Sequence, residues 1–212
     1  MSATAPRSTA TALLDAARTQ LMEDGFAGLS TRKVADRAGV PLSQVHYHYG
    51  SKSGLVLALL RSEDARRLAR QTNMYAADVP LWRRYEQACD FLDEDLESGY
   101  VRVLHEMIAA GWSDPELAQA AREVLLGWHT LLVSVALEAA DHFGSPGTFT
   151  AEEVASLIGT AFLGSEALLL LGVTRQQQPV RSALRRIGQA LRAAEEAASA
   201  PPHRRRPAHR AG

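Results

Sequence analysis

The sequence predicts an all-α protein of about nine helices, and three observations carry this prediction. Apolar residues recur at three- and four-residue spacing over most of the chain, which is the period of an amphipathic helix. Capping signals stand at the starts of several of these segments; Thr150, for example, is followed three residues later by Glu153. No segment carries a convincing strand pattern.

The helices are placed by these signals in chain order. The first is expected over about residues 9–24, with Gly25 as its stop, and the fourth starts at a Ser51 cap and reaches about residue 75. The fifth and sixth are expected over about 81–98 and 100–110, the seventh from Pro115 to Phe143, the eighth over about 150–171 and the ninth over about 179–196.

The second and third helices lie within residues 29–50, the most informative part of the chain. Ser30 stands at an N-cap position, and Gly39 can take the positive φ that a sharp turn between two helices needs. In the third helix Val45 and Tyr49 recur at inward-facing positions, whereas the other side chains offer donors and planar rings to the outside. This pattern is typical of a helix-turn-helix with its DNA recognition helix.

Residues 9–60 resemble the N-terminal domain of the TetR family of one-component transcriptional regulators. The resemblance runs through LLDAARTQLMEDGF and LSTRKVADRAGV to VHYHYGSKSGL, in the family's order and with its short spacings. It covers about a quarter of the chain. It implies an all-helical C-terminal domain that binds an effector and makes a homodimer.

On this basis the chain divides into four parts. A three-helix helix-turn-helix DNA-binding domain is expected at residues 1–50 and a connecting helix at 51–75. A larger helical domain for ligand binding and dimerisation is expected at 76–198, followed by a disordered basic tail at 199–212. The tail could attract phosphates, but its composition favours a solvated segment without a function.

Five residues are candidates for contacts with DNA phosphates. Thr31 lies in the first turn of the second helix, and Lys52 matches a lysine that touches the DNA backbone in the family. The family most often has tyrosine at the position of His46, so either His46 or Tyr47 is expected to meet the backbone, with His48 beside them. His46 and His48 are two residues apart on a helix, so they cannot share a metal ion.

Base readout is assigned to Arg32, Ser43 and Gln44. Arginine suits the paired acceptors of guanine, and glutamine suits the donor and acceptor of adenine. Arg32 is equally well interpreted as a phosphate clamp or as part of a surface salt bridge.

A ligand site is predicted among large side chains of the fifth to seventh helices. Aromatic and thioether groups around a gap between helices suit an apolar or aromatic molecule, although each one alone is more simply a core residue. The candidates are Trp82, Tyr85, Met107, Ile108, Trp112, Trp128 and His129.

Glu166 is a further candidate because it interrupts the apolar run AFLGSEALLLLG. A charge there is costly unless it is paired or lies at an edge. An ion pair, for example with Arg102 or with an arginine of a second subunit, or exposure to solvent ranks first; ligand contact ranks second.

The homodimer is predicted through the eighth and ninth helices, residues 150–171 and 179–196. Both carry broad apolar faces, and the same pair from a second copy would complete a four-helix bundle. Burial of these faces within one subunit is the competing interpretation.

Composition narrows the class of protein. The single cysteine, Cys89, excludes an intramolecular disulfide and a cysteine-rich zinc site, which favours a reducing cytoplasmic setting. No unbroken run of eighteen apolar residues occurs, so we expect no membrane-spanning segment. Residues 1–75 hold 10 Lys/Arg against 6 Asp/Glu, whereas residues 76–170 hold 4 against 16. A basic head on an acidic body is consistent with DNA binding by the head.

No catalytic constellation, metal site or cofactor motif is found in the sequence. His105-Glu106 has no second histidine at zinc spacing, and no phosphate-binding glycine loop occurs. We therefore expect a ligand-responsive DNA-binding repressor and no enzyme. Two alternatives stay open: a regulator with the same head that senses no small molecule or senses a protein partner, and a helical enzyme or carrier with an incidental N-terminal resemblance.

Overall fold

The computed structural model of the protein describes residues 8–144, 147–174 and 176–199. Within these residues the chain forms nine α-helices and no strand, as the sequence predicts. The first four are α1 (Thr9–Gly28), α2 (Thr31–Ala38), α3 (Leu42–Tyr49) and α4 (Lys52–Tyr75). The other five are α5 (Leu81–Ser98), α6 (Tyr100–Gly111), α7 (Pro115–Phe143), α8 (Ala151–Leu170) and α9 (Val180–Ser199).

The head, made of α1 to α3 and the start of α4, packs around fully buried aliphatic side chains. Leu13 and Leu21 of α1, Val34 of α2 and Val45 of α3 all have 0% exposure. Gly39 ends α2 in the left-handed conformation with φ of 69°, as the turn between α2 and α3 requires. Residues 200–212, most of the expected tail, lie outside the described residues.

Capping hydrogen bonds mark the starts of several helices. Thr150 and Glu153 form the expected capping box at the start of α8. The hydroxyl of Ser51 accepts a hydrogen bond from the Gly54 N–H at the start of α4. Ser30 is the N-cap residue of α2, but its side chain makes no capping hydrogen bond.

The end of α1 differs from the expected stop at Gly25. Gly25 leaves the helical conformation, with φ of 68° and ψ of 179°, but one more turn follows as far as Gly28. The Glu106 carboxylate of α6 accepts a hydrogen bond from the Phe26 N–H at 2.9 Å. The carboxylate thus satisfies a free donor at the restarted turn and ties the head to the body.

The core continues from the head into the body through α6. Val101, Val103, Leu104 and Met107 of α6 are buried in the same cluster as the aliphatic residues of α1 and α4. A second, smaller cluster contains Met74 and Phe91 and lies where α4, α5 and α7 meet.

Two helices are long and apolar enough to cross a membrane by those criteria alone. They are α7 and α8, whose most apolar 18-residue windows have mean hydropathies of 1.3 and 1.4. The sequence prediction of no membrane-spanning segment rested on the absence of an unbroken apolar run. Both helices are apolar on average, but polar residues interrupt each of them. Core helices of water-soluble proteins pass the same test, so the finding is weak evidence for a membrane. Only 6% and 11% of the two windows are buried, which leaves apolar surface uncovered.

A buried ionic network joins α4 to α5. The Arg67 guanidinium lies 2.6 Å from Glu63 Oε2 and 2.9 Å from Asp95 Oδ1, and it donates a hydrogen bond to the Ser98 hydroxyl. It also lies 4.0 Å from the centre of the Tyr100 ring. Since both carboxylates are buried with Arg67, removing the guanidinium would leave two buried charges with fewer partners.

We therefore expect Arg67→Ala to lower the free energy of unfolding by about 3 kcal/mol or more. Arg66→Ala is the matched control, because Arg66 also pairs with Glu63 but its side chain is 71% exposed. That control should cost less than about 1 kcal/mol. Urea unfolding followed by circular dichroism measures both, and equal losses in the two variants would contradict the role given to the buried network.

Candidate nucleic-acid interface and ligand cavity

The recognition helix α3 has a polar and aromatic outer face, and its inner face is anchored to the rest of the head. Val45 is fully buried, and the Tyr49 hydroxyl donates a 2.8 Å hydrogen bond to the Ala10 carbonyl of α1. Ser43 and His48 are exposed, and Gln44 is half-buried. The structure therefore holds Ser43 and Gln44, two of the three expected base-reading side chains, on a helix that is anchored to the head.

His46 and Tyr47 occupy different environments. His46 Nδ1 lies 3.0 Å from the Gly50 carbonyl oxygen, so its ring closes the end of α3. The Tyr47 side chain is 81% exposed, and its ring lies edge-on to the His48 ring, with 5.0 Å between the two ring centres. Of the two candidates, Tyr47 has the hydroxyl that is free to reach a phosphate.

The basic residues of the head fall into two groups. Lys33 and Arg37 are engaged by α1, since Lys33 lies 3.3 Å from Asp24 and Arg37 lies 2.6 Å from Glu23. The hydrogen bond from Arg37 lowers the pKa of the Glu23 carboxyl, which keeps that pair ionised.

Arg32 and Lys52 form the second group. Arg32 is exposed beside half-buried Thr31 at the start of α2 and makes no ion pair in the described part of the chain. Lys52 opens α4 with its ammonium 4.4 Å from the centre of the Phe26 ring, and burial lowers its pKa. No described carboxylate holds either of these two cations, which the sequence singled out.

The body contains an apolar cavity of about 400 Å³. Residues of α4 to α9 line it, and most of them are aliphatic or aromatic. Tyr85, Trp128 and Glu166 are the sequence candidates that line this cavity.

The other five candidates lie elsewhere. Met107 is fully buried in the head-to-body core, and Ile108 packs against that core. Trp112 is 86% exposed at the end of α6. The guanidinium groups of Arg83 and Arg192 cover the Trp82 ring at the surface. His129 is half-buried on α7, outside the cavity wall.

A carboxylate on α4 holds two aromatic residues of the cavity wall. The Trp128 indole N–H donates a 3.0 Å hydrogen bond to Asp64 Oδ1, and the Tyr100 hydroxyl donates one at 3.3 Å to the same oxygen. Burial raises the pKa of Asp64, although these two hydrogen bonds and Arg67 act in the opposite direction. A change in the position of either ring would therefore alter a hydrogen bond to α4.

Glu166 has a polar partner inside the body, but this partner is a histidine rather than the expected arginine. Its Oε2 lies 3.2 Å from His105 Nε2 of α6, and the two side chains are 14% and 20% exposed. Arg102 instead approaches Glu106, at 3.9 Å. Glu166 also lines the cavity.

The comparisons with known proteins bear on the head first. Residues 13–59 match the model of bacterial regulatory proteins of the tetR family. The head of this chain is therefore a TetR-type DNA-binding domain. This match supports a DNA-binding regulator of transcription. No curated protein matches the chain in sequence.

Solved structures of transcriptional regulators share the fold over most of this chain. A TetR transcription regulator from Haloarcula marismortui is 21% identical, with a TM-score of 0.73 over 86% of this chain and 97% of that one. A TetR transcriptional regulator from Legionella pneumophila is 18% identical, with a TM-score of 0.70 over 87% and 99%. The transcriptional regulator FadR from Bacillus subtilis, solved in complex with stearoyl-CoA, is 15% identical with a TM-score of 0.64 over 85% and 96%.

Sequence reasoning missed the part of the TetR-like body that α8 contributes to the cavity. Val154, Ile158 and Phe162 line it together with Glu166, although the sequence prediction gave their face to the dimer. These four residues are spaced by four and therefore share one stripe of the helix. The position of Glu166 in that stripe was the signal that could have identified the cavity wall.

Cys89 is a free, buried cysteine of α5. It is 1% exposed, and burial raises the pKa of its thiol to about 11, so little thiolate exists at neutral pH. Within the described ranges, no group of three or more His, Cys, Asp or Glu residues is placed to hold a metal ion.

Proposed function

We propose that this TetR-family regulator is a ligand-responsive repressor that binds a palindromic operator as a homodimer in the cytoplasm and leaves it when a small apolar or aromatic effector enters the body. The observation that carries the proposal is the cavity of about 400 Å³, whose wall is hydrogen-bonded to the helix that leads into the DNA-binding head.

DNA contacts are assigned to polar and charged groups at the surface of the head. Tyr47 and Lys52, with Thr31 at the start of α2, position the head on phosphates, whereas Gln44 and Arg32 read bases. Arg32 and Tyr47 are exposed, the other three are half-buried, and none of the five makes an ion pair with a described residue, which supports this division. Ser43, His46 and His48 complete the contact surface.

Helix α4 provides the route from cavity to operator. It begins with Lys52 at the DNA end, carries Asp64 in its middle, and ends with Gln71 and Tyr75 in the cavity wall. An effector that displaces the Trp128 or Tyr100 ring would alter the hydrogen bonds to Asp64 and so favour another position of α4. Such a shift of α4 would change the distance between the recognition helices of the two subunits. These helices must lie about 34–36 Å apart to bind the operator.

The dimer is assigned to the outer faces of α8 and α9. The inner face of α9 is already used within one subunit, because Leu184 is 4% exposed and Ile187 lines the cavity. Leu157 and Leu171 at α8 stay 59% and 80% exposed, and Ala190 and Ala194 continue an exposed stripe of small residues on α9. Small residues allow close helix approach, and covering the leucines would bury apolar surface.

A regulator that senses no small molecule is the other candidate, and the cavity argues against it. A body without a ligand would be expected to close an apolar void of this size, because interiors pack densely. The complex of the B. subtilis FadR with stearoyl-CoA supports a binding role for the same fold.

The first prediction separates positioning from readout. Lys52→Ala should weaken binding to all DNA sequences alike and make the dependence of log K on log salt shallower by about 0.9, the value for one phosphate. Gln44→Ala should instead relax preference at one base pair and cost about 1–3 kcal/mol there. Lys33→Ala is the control for charge, since Asp24 already engages Lys33. Fluorescence anisotropy over a salt series measures all three, and an unchanged salt dependence in Lys52→Ala would contradict its phosphate contact.

The second prediction concerns the dimer. A double variant, Leu157→Arg with Ala190→Arg, should fold, because both positions are exposed in the subunit, but it should be monomeric and bind the operator weakly. Leu126→Arg on α7 is the control, since Leu126 is 61% exposed and lies outside α8 and α9. Light scattering after size exclusion gives the masses. A dimeric double variant would place the interface elsewhere.

The third prediction tests the cavity with Nile red, an uncharged apolar dye. Ala136→Trp should reduce dye affinity about tenfold or more, because Ala136 lines the cavity and an indole would fill much of it. Thr130→Trp on the exposed face of the same helix should leave the affinity unchanged. Dye fluorescence titrations compare the two variants with the parent chain, and equal binding to all three would mean that the dye binds outside the cavity.

A further inference from the structure

We propose that the effector carries a positively charged nitrogen on an apolar body, and that Glu166 binds this nitrogen inside the cavity. The inference rests on the proposed ligand-sensing function and names the chemical class of the ligand.

The charges in the cavity wall are all negative. Asp95 and Glu166 line the cavity, whereas no Lys, Arg or His lines it within the described residues. Asp95 is held by two guanidinium groups, Arg67 at 2.9 Å and Arg70 at 2.7 Å. Glu166 has only the His105 ring at 3.2 Å. The carboxylate with unused capacity for a cation is therefore Glu166.

One oxygen of Glu166 has no hydrogen-bond partner among the residues that the structure describes. Oε2 faces His105, and Oε1 makes no hydrogen bond with any described residue, although the side chain is only 14% exposed. A carboxylate taken out of water is costly unless its oxygens are paired. An ammonium group on a ligand would supply a charge-assisted hydrogen bond to Oε1 without disturbing the contact with His105.

The surroundings of Glu166 suit the rest of such a ligand. Phe162 lies one helical turn before Glu166 on the same stripe and lines the cavity, so its ring can also attract a cation. Ile158 and Val154 continue the stripe for two more turns with aliphatic surface. The α8 part of the cavity wall thus has a charged group at one end and apolar side chains along the rest of the same stripe.

Other ligand classes fit the same wall less well. A carboxylate or phosphate would meet Glu166 and find no cation in the described wall. An uncharged ligand would add apolar contact but would leave Oε1 of Glu166 desolvated and unpaired, which lowers its affinity relative to a cation of the same shape.

Three molecules with one chain and different headgroups test the class: n-dodecylamine, n-dodecanol and n-dodecanoate at neutral pH and micromolar concentration. Calorimetric titration of the full chain should give an affinity for the amine about tenfold or more above that for the alcohol, with the carboxylate weakest. Glu166→Gln keeps the side-chain shape and should remove most of the preference for the amine while changing the affinity for the alcohol by less than about twofold.

The controls separate this inference from the proposed function. Glu152→Gln removes one charge from the exposed part of α8 and should leave all three affinities unchanged. If the alcohol or the carboxylate binds as tightly as the amine, or if Glu166→Gln keeps the preference, the ligand class is wrong and the cavity sensor stands. If no probe binds, or if Ala136→Trp binds all three like the parent chain, the sensor function and the ligand class both fail.

Discussion

The pairing of Arg67 with Glu63 and Asp95 fixes the helix on which the rest of the structure depends. It holds α4 against α5 with a guanidinium and two carboxylates that are all buried. Sliding of α4 would separate these charges in a medium of low dielectric, so the register of the helix is strongly specified. The same helix contributes core residues to the head at one end and Tyr75 to the cavity wall at the other. A contact made at either end is therefore transmitted through a rigid element rather than through a flexible linker.

Helix α6 supplies the second connection, and three consecutive residues make it. Leu104 lines the cavity, His105 contacts Glu166 of α8, and Glu106 caps the restarted turn of α1 at Phe26. Successive residues of a helix point about 100° apart, so one turn of α6 faces the cavity, α8 and the head in succession. A ligand bound at Glu166 would thus act next to the contact that ties the head to the body.

Sequence signals of short range predicted the helices well, because caps and glycines act within a few residues. Thr150 with Glu153, Ser51 and Gly39 each mark a helix end that the structure confirms. The cavity was harder to predict, since residue type does not tell which way a side chain points. Trp112 is a large aromatic residue that faces solvent, whereas Phe162 and Ile158 sit on a stripe whose covering partner the pattern could not identify. An apolar face predicts burial but not whether the cover is a helix, a ligand or a second subunit.

The proposed switch must also satisfy a thermodynamic limit. An effector that weakens operator binding must itself bind less tightly to the DNA-bound dimer by the same factor. Moving a two-state equilibrium from 1:99 to 99:1 takes about 5.5 kcal/mol of differential affinity. If the cavity kept its volume, the ligand would bury nearly the same apolar area in the free and the DNA-bound dimer. Apolar burial alone therefore supplies little of the difference in ligand affinity between these two states. The polar contacts of the wall, Asp64 with its two aromatic donors and Glu166 with His105, depend on direction and distance to within tenths of an ångström. They are therefore the groups through which ligand affinity becomes sensitive to the position of α4 and α6.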